Sequence, residues 1–207
     1  MALVKLNNRG VRSATTFGSI TGLGSMVFIK KQTASSSSTI SFVDGTSDVV
    51  LDDTYKEYLF TFNNLHPGTD DRGLMVGFRD GGSAYDATKT TTKFYTQHDE
   101  GDSATSLTYD SDYDLAQSTA FQQLDGDIGS DNDQSLSGYM HLFNPSDTTF
   151  VKHFIAVTNI SRSNDVSTYT STAGYCNVTA AIDGVQFKMR TGNIDAGDIC
   201  LYGIKDS

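Results

Sequence analysis

The stretch that decides the fold is residues 182–204, IDGVQFKMRTGNIDAGDICLYGI. In its first part, residues 185–190, apolar and polar side chains alternate, which is the period of a strand with one buried face. Residues 191–198 are rich in Gly, Asn and Asp, which tolerate positive φ or hydrogen-bond to their own backbone. A second apolar run follows at residues 199–204. The stretch therefore predicts a long β-hairpin that closes a sheet.

The composition favours strands joined by many turns. The 207 residues include 19 Gly, 2 Pro, 10 Tyr, 12 Phe and no Trp, and no helical stripe longer than about three turns is visible. A chain of this length can bury one well-packed core. These observations predict an all-β fold, a jelly-roll-like antiparallel β-sandwich of about nine or ten strands with an extended N-terminal arm.

The first 24 residues differ from the rest of the chain. They hold a short apolar start, Leu3, Val4 and Leu6, followed by the basic residues Arg9 and Arg12. Such a segment cannot bury much of itself, so we expect either a disordered or loosely docked arm or an anchor that orders only against a partner. We predict an N-terminal arm at residues 1–24, with these five residues docking to a partner, and a β-sandwich domain at residues 25–207.

Strands are predicted wherever the alternation is clear, and two regions carry further expectations. Residues 137–143 and 150–157 predict a hairpin around the turn at Asn144. Residues 88–95 are polar and β-branched, which predicts a solvent-facing strand or an edge strand whose lysines discourage pairing with other chains. The other predicted strands cover residues 25–31, 40–43, 55–65, 72–79, 174–180 and 199–204. The serine-rich run before residue 40 resembles a flexible linker, and a hairpin or an edge-strand crossing is an equal alternative.

Residues 96–133 form a long, acidic and weakly periodic stretch. We expect one short strand at residues 106–109 and one helical turn at residues 114–124 within it. An excursion this long from a compact sandwich is usually functional or interfacial.

The densest acidic cluster in this stretch holds Asp125, Asp127, Asp131 and Asp133. Oxygen ligands at alternate positions suit Ca²⁺, but Leu136 stands where an EF-hand loop needs a bidentate Glu. The cluster is therefore either an irregular structural calcium site or a solvated acidic loop.

Tyr109 and Tyr113 lie among Asp, Gly and Ser, a mixture that sugar-binding surfaces use. The alternative is that they cover the rim of the sandwich, where a Tyr ring is buried and its hydroxyl is wet. No catalytic motif accompanies them, and the four histidines show no metal-binding spacing. We therefore predict a protein that is not an enzyme, with Tyr109 and Tyr113 as candidate glycan contacts.

The net charge of −10 argues against a nucleic-acid groove, because phosphate-binding proteins present clustered Lys and Arg. No apolar run approaches the roughly 20 residues of a membrane-spanning helix, so no membrane insertion is expected. Cys176 and Cys200 lie in apolar or aromatic runs, where an unpaired Cys behaves as a small hydrophobic residue. They either pair or remain buried thiols.

Residues 1–10, MALVKLNNRG, and residues 33–67, TASSSSTISFVDGTSDVVLDDTYKEYLFTFNNLHP, resemble virion structural proteins of marine tailed bacteriophages, including cyanophages. Residues 182–204 are similar to the closing segment of the same group. The resemblance implies a non-enzymatic protein of the virion, assembled in the host cytoplasm, whose partners are the major capsid protein or tail and fibre proteins. It also implies a homo-oligomer, with a trimer suggested by the symmetry of phage attachments.

Two functions follow from this resemblance and from the residues. The first is decoration or cementing of the capsid surface, with the N-terminal arm as the dock. The second is a tail-fibre or receptor-binding module that recognises host surface glycans. The number of copies in purified particles separates the two.

Overall fold

A computed structural model describes residues 25–205, and the predicted docking residues Leu3, Val4, Leu6, Arg9 and Arg12 lie outside this range. Every regular element in residues 25–205 is a β-strand. The strands are β1 (Met26–Thr33), β2 (Ile40–Val43), β3 (Glu57–Pro67), β4 (Arg72–Arg79), β5 (Lys89–Asp99), β6 (Thr105–Tyr109), β7 (Gln122–Ile128), β8 (Leu136–Phe143), β9 (Lys152–Ser161), β10 (Val166–Cys176), β11 (Gly184–Met189) and β12 (Ile194–Ile204). No helix in the described part of the chain is long and apolar enough to cross a membrane.

The strands form two sheets, so the predicted all-β sandwich is confirmed. An eight-stranded sheet has the order β1-β12-β3-β8-β9-β10-β5-β6, and a four-stranded sheet has the order β2-β11-β4-β7. Every pairing is antiparallel. Only β5-β6, β8-β9 and β9-β10 follow each other within one sheet, so the chain crosses between sheets at its other connections. The finer jelly-roll assignment stays a prediction, and the expected nine or ten strands are too few.

The predicted closing hairpin is wrong, although both of its strands exist. β11 pairs with β2 and β4 in the four-stranded sheet, whereas β12 pairs with β1 and β3 in the other sheet. The predicted turn around Gly197 belongs to β12, where two register shifts accommodate the extra residues. Gly197 has a φ of +105°, and a Cβ there would lie 2.4 Å from the Asn64 carbonyl oxygen. Glycine is therefore required at this irregular point of the strand.

Aromatic side chains hold the two sheets together. Phe187 of β11 lies 5.5 Å from Phe60 and 5.2 Å from Phe62 of β3, measured between ring centroids in edge-to-face geometry. Phe42 of β2 adds a further contact with Phe60 at 5.4 Å. All four rings are buried. This packing explains why β11 does not pair with β12, its neighbour in sequence. The apolar face of β11 is covered by β3 of the opposite sheet.

The hairpin predicted around Asn144 is confirmed, since β8 pairs with β9. The serine-rich run after β1 proves to be a crossing between edges, because β1 and β2 lie at the edges of different sheets. Cys176 and Cys200 are both buried and unpaired.

The prediction that residues 88–95 form a solvent-facing or edge strand is wrong in both forms. β5 lies between β10 and β6, and both of its lysines are buried. Lys89 Nζ donates a hydrogen bond to the Ala120 carbonyl oxygen at 2.7 Å, and Lys93 Nζ pairs with Asp110 at 2.8 Å. The lysines therefore face the inside of the sandwich because residues 110–120 supply oxygen partners for them.

The helical turn predicted at residues 114–124 is also wrong. Residues 115–118 bridge to β5, and Gln122 already begins β7. The strand expected at residues 106–109 is confirmed as β6. β7 was missed because its residues Asp125 and Asp127 resemble an acidic loop, whereas hydroxyl and guanidinium partners allow both to lie in a strand.

Candidate functional site

A polar cleft opens where the eight-stranded sheet extends beyond the four-stranded one. Its floor is the inner face of β5 and β10, and one wall is β7, the edge strand of the smaller sheet. The segment after β6, residues 110–113, and Arg162 complete the lining. The cleft has a volume of about 140 Å³. We call it the polar cleft.

Threonines make the floor polar. Thr168, Thr170 and Thr172 alternate along β10 and all point inward, where they are buried. Opposite them on β5, Lys93, Tyr95 and Gln97 share the same face through the pairing of the two strands. The strand period that fills the rest of the sandwich with apolar side chains here supplies hydroxyl, amide and ammonium groups.

Asp125 is the buried carboxylate of the polar cleft. It accepts hydrogen bonds from Thr158 Oγ1 at 2.8 Å, from Thr170 Oγ1 at 3.0 Å and from the Gly126 backbone N–H at 2.9 Å. Burial raises the pKa of Asp125 to about 6, because desolvation outweighs these hydrogen bonds and the nearby charge of Lys93. The carboxylate is fixed in position by two strands of the opposite sheet.

The two cations of the polar cleft already have partners. Lys93 Nζ pairs with Asp110 at 2.8 Å and lies 5.0 Å from the centroid of the Tyr113 ring. Arg162 pairs with Asp127. The lining also holds the carboxylates of Asp112 and Asp125, so its acidic groups outnumber its basic ones. The cleft is therefore acidic and rich in hydrogen-bond acceptors.

Two buried polar atoms of the lining have no partner among the described residues. They are Gln123 Oε1 on β7 and Thr168 Oγ1 on β10. Their residues are only 3% and 4% exposed. A buried polar atom without a partner costs free energy, so native proteins seldom leave one unless another molecule completes it.

The polar cleft brings together some of the residues predicted from the sequence and separates others. Tyr113, Asp125 and Asp127 all line it. Tyr109 lies on the opposite, outer face of the eight-stranded sheet and donates to Asp114 at 2.7 Å. Asp131 and Asp133 are exposed in the loop after β7. The four candidate calcium ligands are thus split between two places.

A calcium site receives no support from this arrangement. Residues 25–205 contain no group of three or more His, Cys, Asp or Glu side chains placed to hold a metal ion. Asp125 is engaged by hydroxyl groups and Asp127 by Arg162. Calcium binding by this stretch stays a prediction.

Sequence reasoning missed Lys93, Gln123, Arg162 and Thr168 as parts of the site. Of these four residues, Thr168 has a recognisable signal in the sequence. Thr168, Thr170 and Thr172 put three polar residues on one face of a strand, where apolar core residues would be expected. The others come from β5, β7 and the turn after β9, and only the fold brings these segments together.

The outer face of the eight-stranded sheet is a second candidate surface. Across β8, β9, β10, β5 and β6, none of the outward-facing side chains is Asp, Glu, Lys or Arg. Large apolar residues are exposed there, including Leu107 at 72%, Tyr109 at 55% and Ile155 at 44%. We call this surface the neutral face; its other large members are Phe94, Tyr139 and Tyr169.

The neutral face has no outward-facing Asp, Glu, Lys or Arg, and its titratable groups besides tyrosines are His98, His141 and His153. This contrasts with the whole chain, which has 15 basic and 25 acidic residues. Depletion of charge together with exposed aromatic residues is the compositional signature of the centre of a protein interface.

Comparisons of the chain with protein-family models, with curated proteins and with solved structures find no match.

Proposed function

We propose that this protein is a non-enzymatic structural protein of a bacteriophage particle, exposed at the particle surface, where it decorates or cements the capsid. The neutral face carries the proposal, because a broad sheet surface without Asp, Glu, Lys or Arg is suited to permanent assembly. The resemblance of residues 1–10, 33–67 and 182–204 to virion proteins of marine tailed phages points to the same class of object. In this proposal the N-terminal arm docks the subunit onto the major capsid protein.

The neutral face fits a second copy of the same chain. At a net charge of −10, two copies repel each other over most of their surfaces. Contact through the neutral face brings no Asp, Glu, Lys or Arg side chains of these strands together, so apolar burial there is not opposed by repulsion between carboxylates. A basic partner would instead bind an acidic surface, and the neutral face has no Asp or Glu to attract it. The proposed assembly is therefore a homo-oligomer in contact through this face.

Sedimentation velocity tests the assembly directly. The wild-type chain should sediment as an oligomer, and Ile155→Asp should shift it to monomer because it buries a like charge in each copy of the interface. Asn132→Asp adds the same charge at an exposed position in the loop after β7 and should leave the oligomer intact. A monomeric wild type at all concentrations would contradict the assembly.

The place in the virion is tested with purified particles of the phage that encodes the chain. A cryo-EM map with this sandwich on capsomers, at hundreds of copies per particle, is the expected result. Absence of the chain from purified particles would overturn the proposed function.

A second candidate function is a tail-fibre or receptor-binding module that recognises host surface glycans. The specific observation in its favour is the polar cleft, which places Tyr113 beside carboxylate, amide and hydroxyl groups. A few to tens of copies per particle, located at the tail, would favour this function over decoration.

A further inference from the structure

We propose that the polar cleft binds a neutral, hydroxyl-rich saccharide unit, with the side chains of Gln123 and Thr168 as its central hydrogen-bonding groups. This inference rests on the glycan-recognition candidate and names its site and the chemical class of its ligand. It does not depend on whether the chain decorates the capsid.

The unpartnered atoms define what the ligand must offer. The Gln123 amide has an acceptor without a partner, Oε1, and a donor, Nε2, on the side of Gly126 of the lining, so the ligand must both donate and accept hydrogen bonds. Thr168 Oγ1 can donate and accept, which matches a hydroxyl group. Both residues are buried and line the same cleft from different sheets. A molecule with several neighbouring hydroxyl groups can satisfy both at once.

The carboxylates extend the same requirement. An ionised carboxylate has about four acceptor positions, and the three hydrogen bonds to Asp125 leave acceptor capacity free. Asp112 is exposed at the mouth of the cleft. Hydroxyl groups that donate to carboxylates form charge-assisted hydrogen bonds, which are stronger than neutral ones.

Charge excludes acidic ligands. The lining holds Lys93 and Arg162, each already paired with an aspartate, and two further carboxylates besides. An anionic sugar would bring a like charge next to Asp112 and Asp125 without a free cation to receive it. The cleft therefore favours a neutral saccharide over a uronate or another acidic sugar.

The volume and the rings fit a single sugar unit. The cleft volume of about 140 Å³ equals that of several water molecules, at about 30 Å³ for each. This is space for one small ring. Tyr95 and Tyr113 supply the apolar side of the lining. Aromatic rings offer flat surface at low entropic cost, which suits the C–H face of a sugar.

The test is an NMR titration of the isotopically labelled full chain. The probes are the methyl glycosides of glucose, galactose and mannose, with glucuronic acid, glucosamine and Ca²⁺ as the comparison set. We expect at least one neutral glycoside to shift the backbone amide signals of Gln123, Thr168 and Tyr113, and glucuronic acid to leave them unchanged. Stronger shifts with glucuronic acid, or shifts with Ca²⁺ or glucosamine alone, would overturn the proposal.

Two variants separate binding from folding. Gln123→Met and Thr168→Val remove the unpartnered atoms while keeping side-chain size, so each should weaken glycoside binding by about tenfold or more. Neither should lower the midpoint of urea unfolding, since each removes an unsatisfied buried group. A merely structural role for these side chains predicts the reverse pattern.

Gln186→Met is the matched control. Gln186 lies on β11, outside the polar cleft, and its Nε2 donates to Ser41 Oγ at 2.8 Å. The control should keep glycoside affinity and lose some stability.

The outcomes distinguish the proposals. If neutral glycosides bind but Gln123→Met keeps full affinity, the assignment to the cleft fails while glycan recognition stands. If no saccharide in the panel shifts any signal, both fail, and the decoration proposal is judged by the particle map alone.

Discussion

Thr170 of β10 donates a hydrogen bond to Asp125 of β7 across 3.0 Å and so joins the larger sheet to the edge of the smaller one. Thr158 of β9 makes the second such bond to the same carboxylate at 2.8 Å. A single buried acid thus links three strands of the sandwich and forms a wall of the polar cleft. Its protonation state affects both stability and the cleft.

Stability should depend on pH through Asp125. Burial raises its pKa from 3.8 to about 6, so folding stability from this group is present below pH 4 and is lost as the pH rises through about 6. About two pH units correspond to about 3 kcal/mol. The free energy of unfolding of wild type minus that of Asp125→Asn should therefore fall by about 2 kcal/mol between pH 4 and pH 7, as measured by urea unfolding.

Asp198→Asn provides a control of opposite sign. Hydrogen bonds from Thr33 and Lys31 lower the pKa of Asp198, so its contribution is present at neutral pH and is lost on acidification. A wild-type minus Asp125→Asn difference that rises with pH would contradict the assignment of the shift to burial.

Truncation of Phe187 should strongly destabilise the sandwich. Its ring contacts Phe42, Phe60 and Phe62, and no other ring in the described chain joins as many aromatic partners. Phe187→Ala should lower the free energy of unfolding by about 3–5 kcal/mol because it leaves a cavity between the sheets. Phe150→Ala, at a ring that is 70% exposed, should change it by less than about 0.5 kcal/mol. Equal effects of the two changes would contradict the proposed role of the inter-sheet cluster.

A methyl group at Gly138 should not fit between β8 and β9. A Cβ there would lie 2.2 Å from the Val157 carbonyl oxygen, which is backbone and cannot rotate away. Gly138→Ala should cost about 1–3 kcal/mol of stability in thermal or urea unfolding. At Gly82 the nearest atom to a Cβ is 3.9 Å away, so Gly82→Ala should be close to neutral. A neutral Gly138→Ala would show that the two strands are further apart.

The thiol of Cys176 should be inert in the folded protein. Burial raises its pKa to about 12, although Lys89 and Lys152 nearby act in the opposite direction. A thiol reagent at pH 8 should therefore modify Cys176 only after denaturation, when two thiols per chain should react without added reductant. The Cys200→Ser variant assigns the signal to Cys176. A requirement for reductant would show that the two cysteines pair.

Much of the strand content could be predicted from the residues alone. The alternation of Tyr58, Phe60 and Phe62 locates β3, and the turn at Asn144 locates the β8-β9 hairpin. These signals are local, because a strand that buries one face must alternate whatever its partner is. Among the residues of the polar cleft, the sequence indicated Tyr113 as a glycan contact and Asp125 and Asp127 as calcium ligands. It did not indicate that the three lie together.

The tertiary structure alone decided which strands pair and which polar groups are buried. β11 and β12 each show the alternation expected of a strand in a hairpin. Phe187 of β11 nevertheless packs on Phe60 and Phe62 of β3 across the sandwich, so β11 lies in the four-stranded sheet and β12 in the eight-stranded one. From the sequence alone, charged residues such as Lys93 and Asp125 are expected to face solvent. They are buried because Asp110 pairs with Lys93 and Thr170 donates a hydrogen bond to Asp125, each from another segment of the chain. Alternation shows that a face is covered, whereas the covering groups are distant in sequence and meet it only in the folded chain.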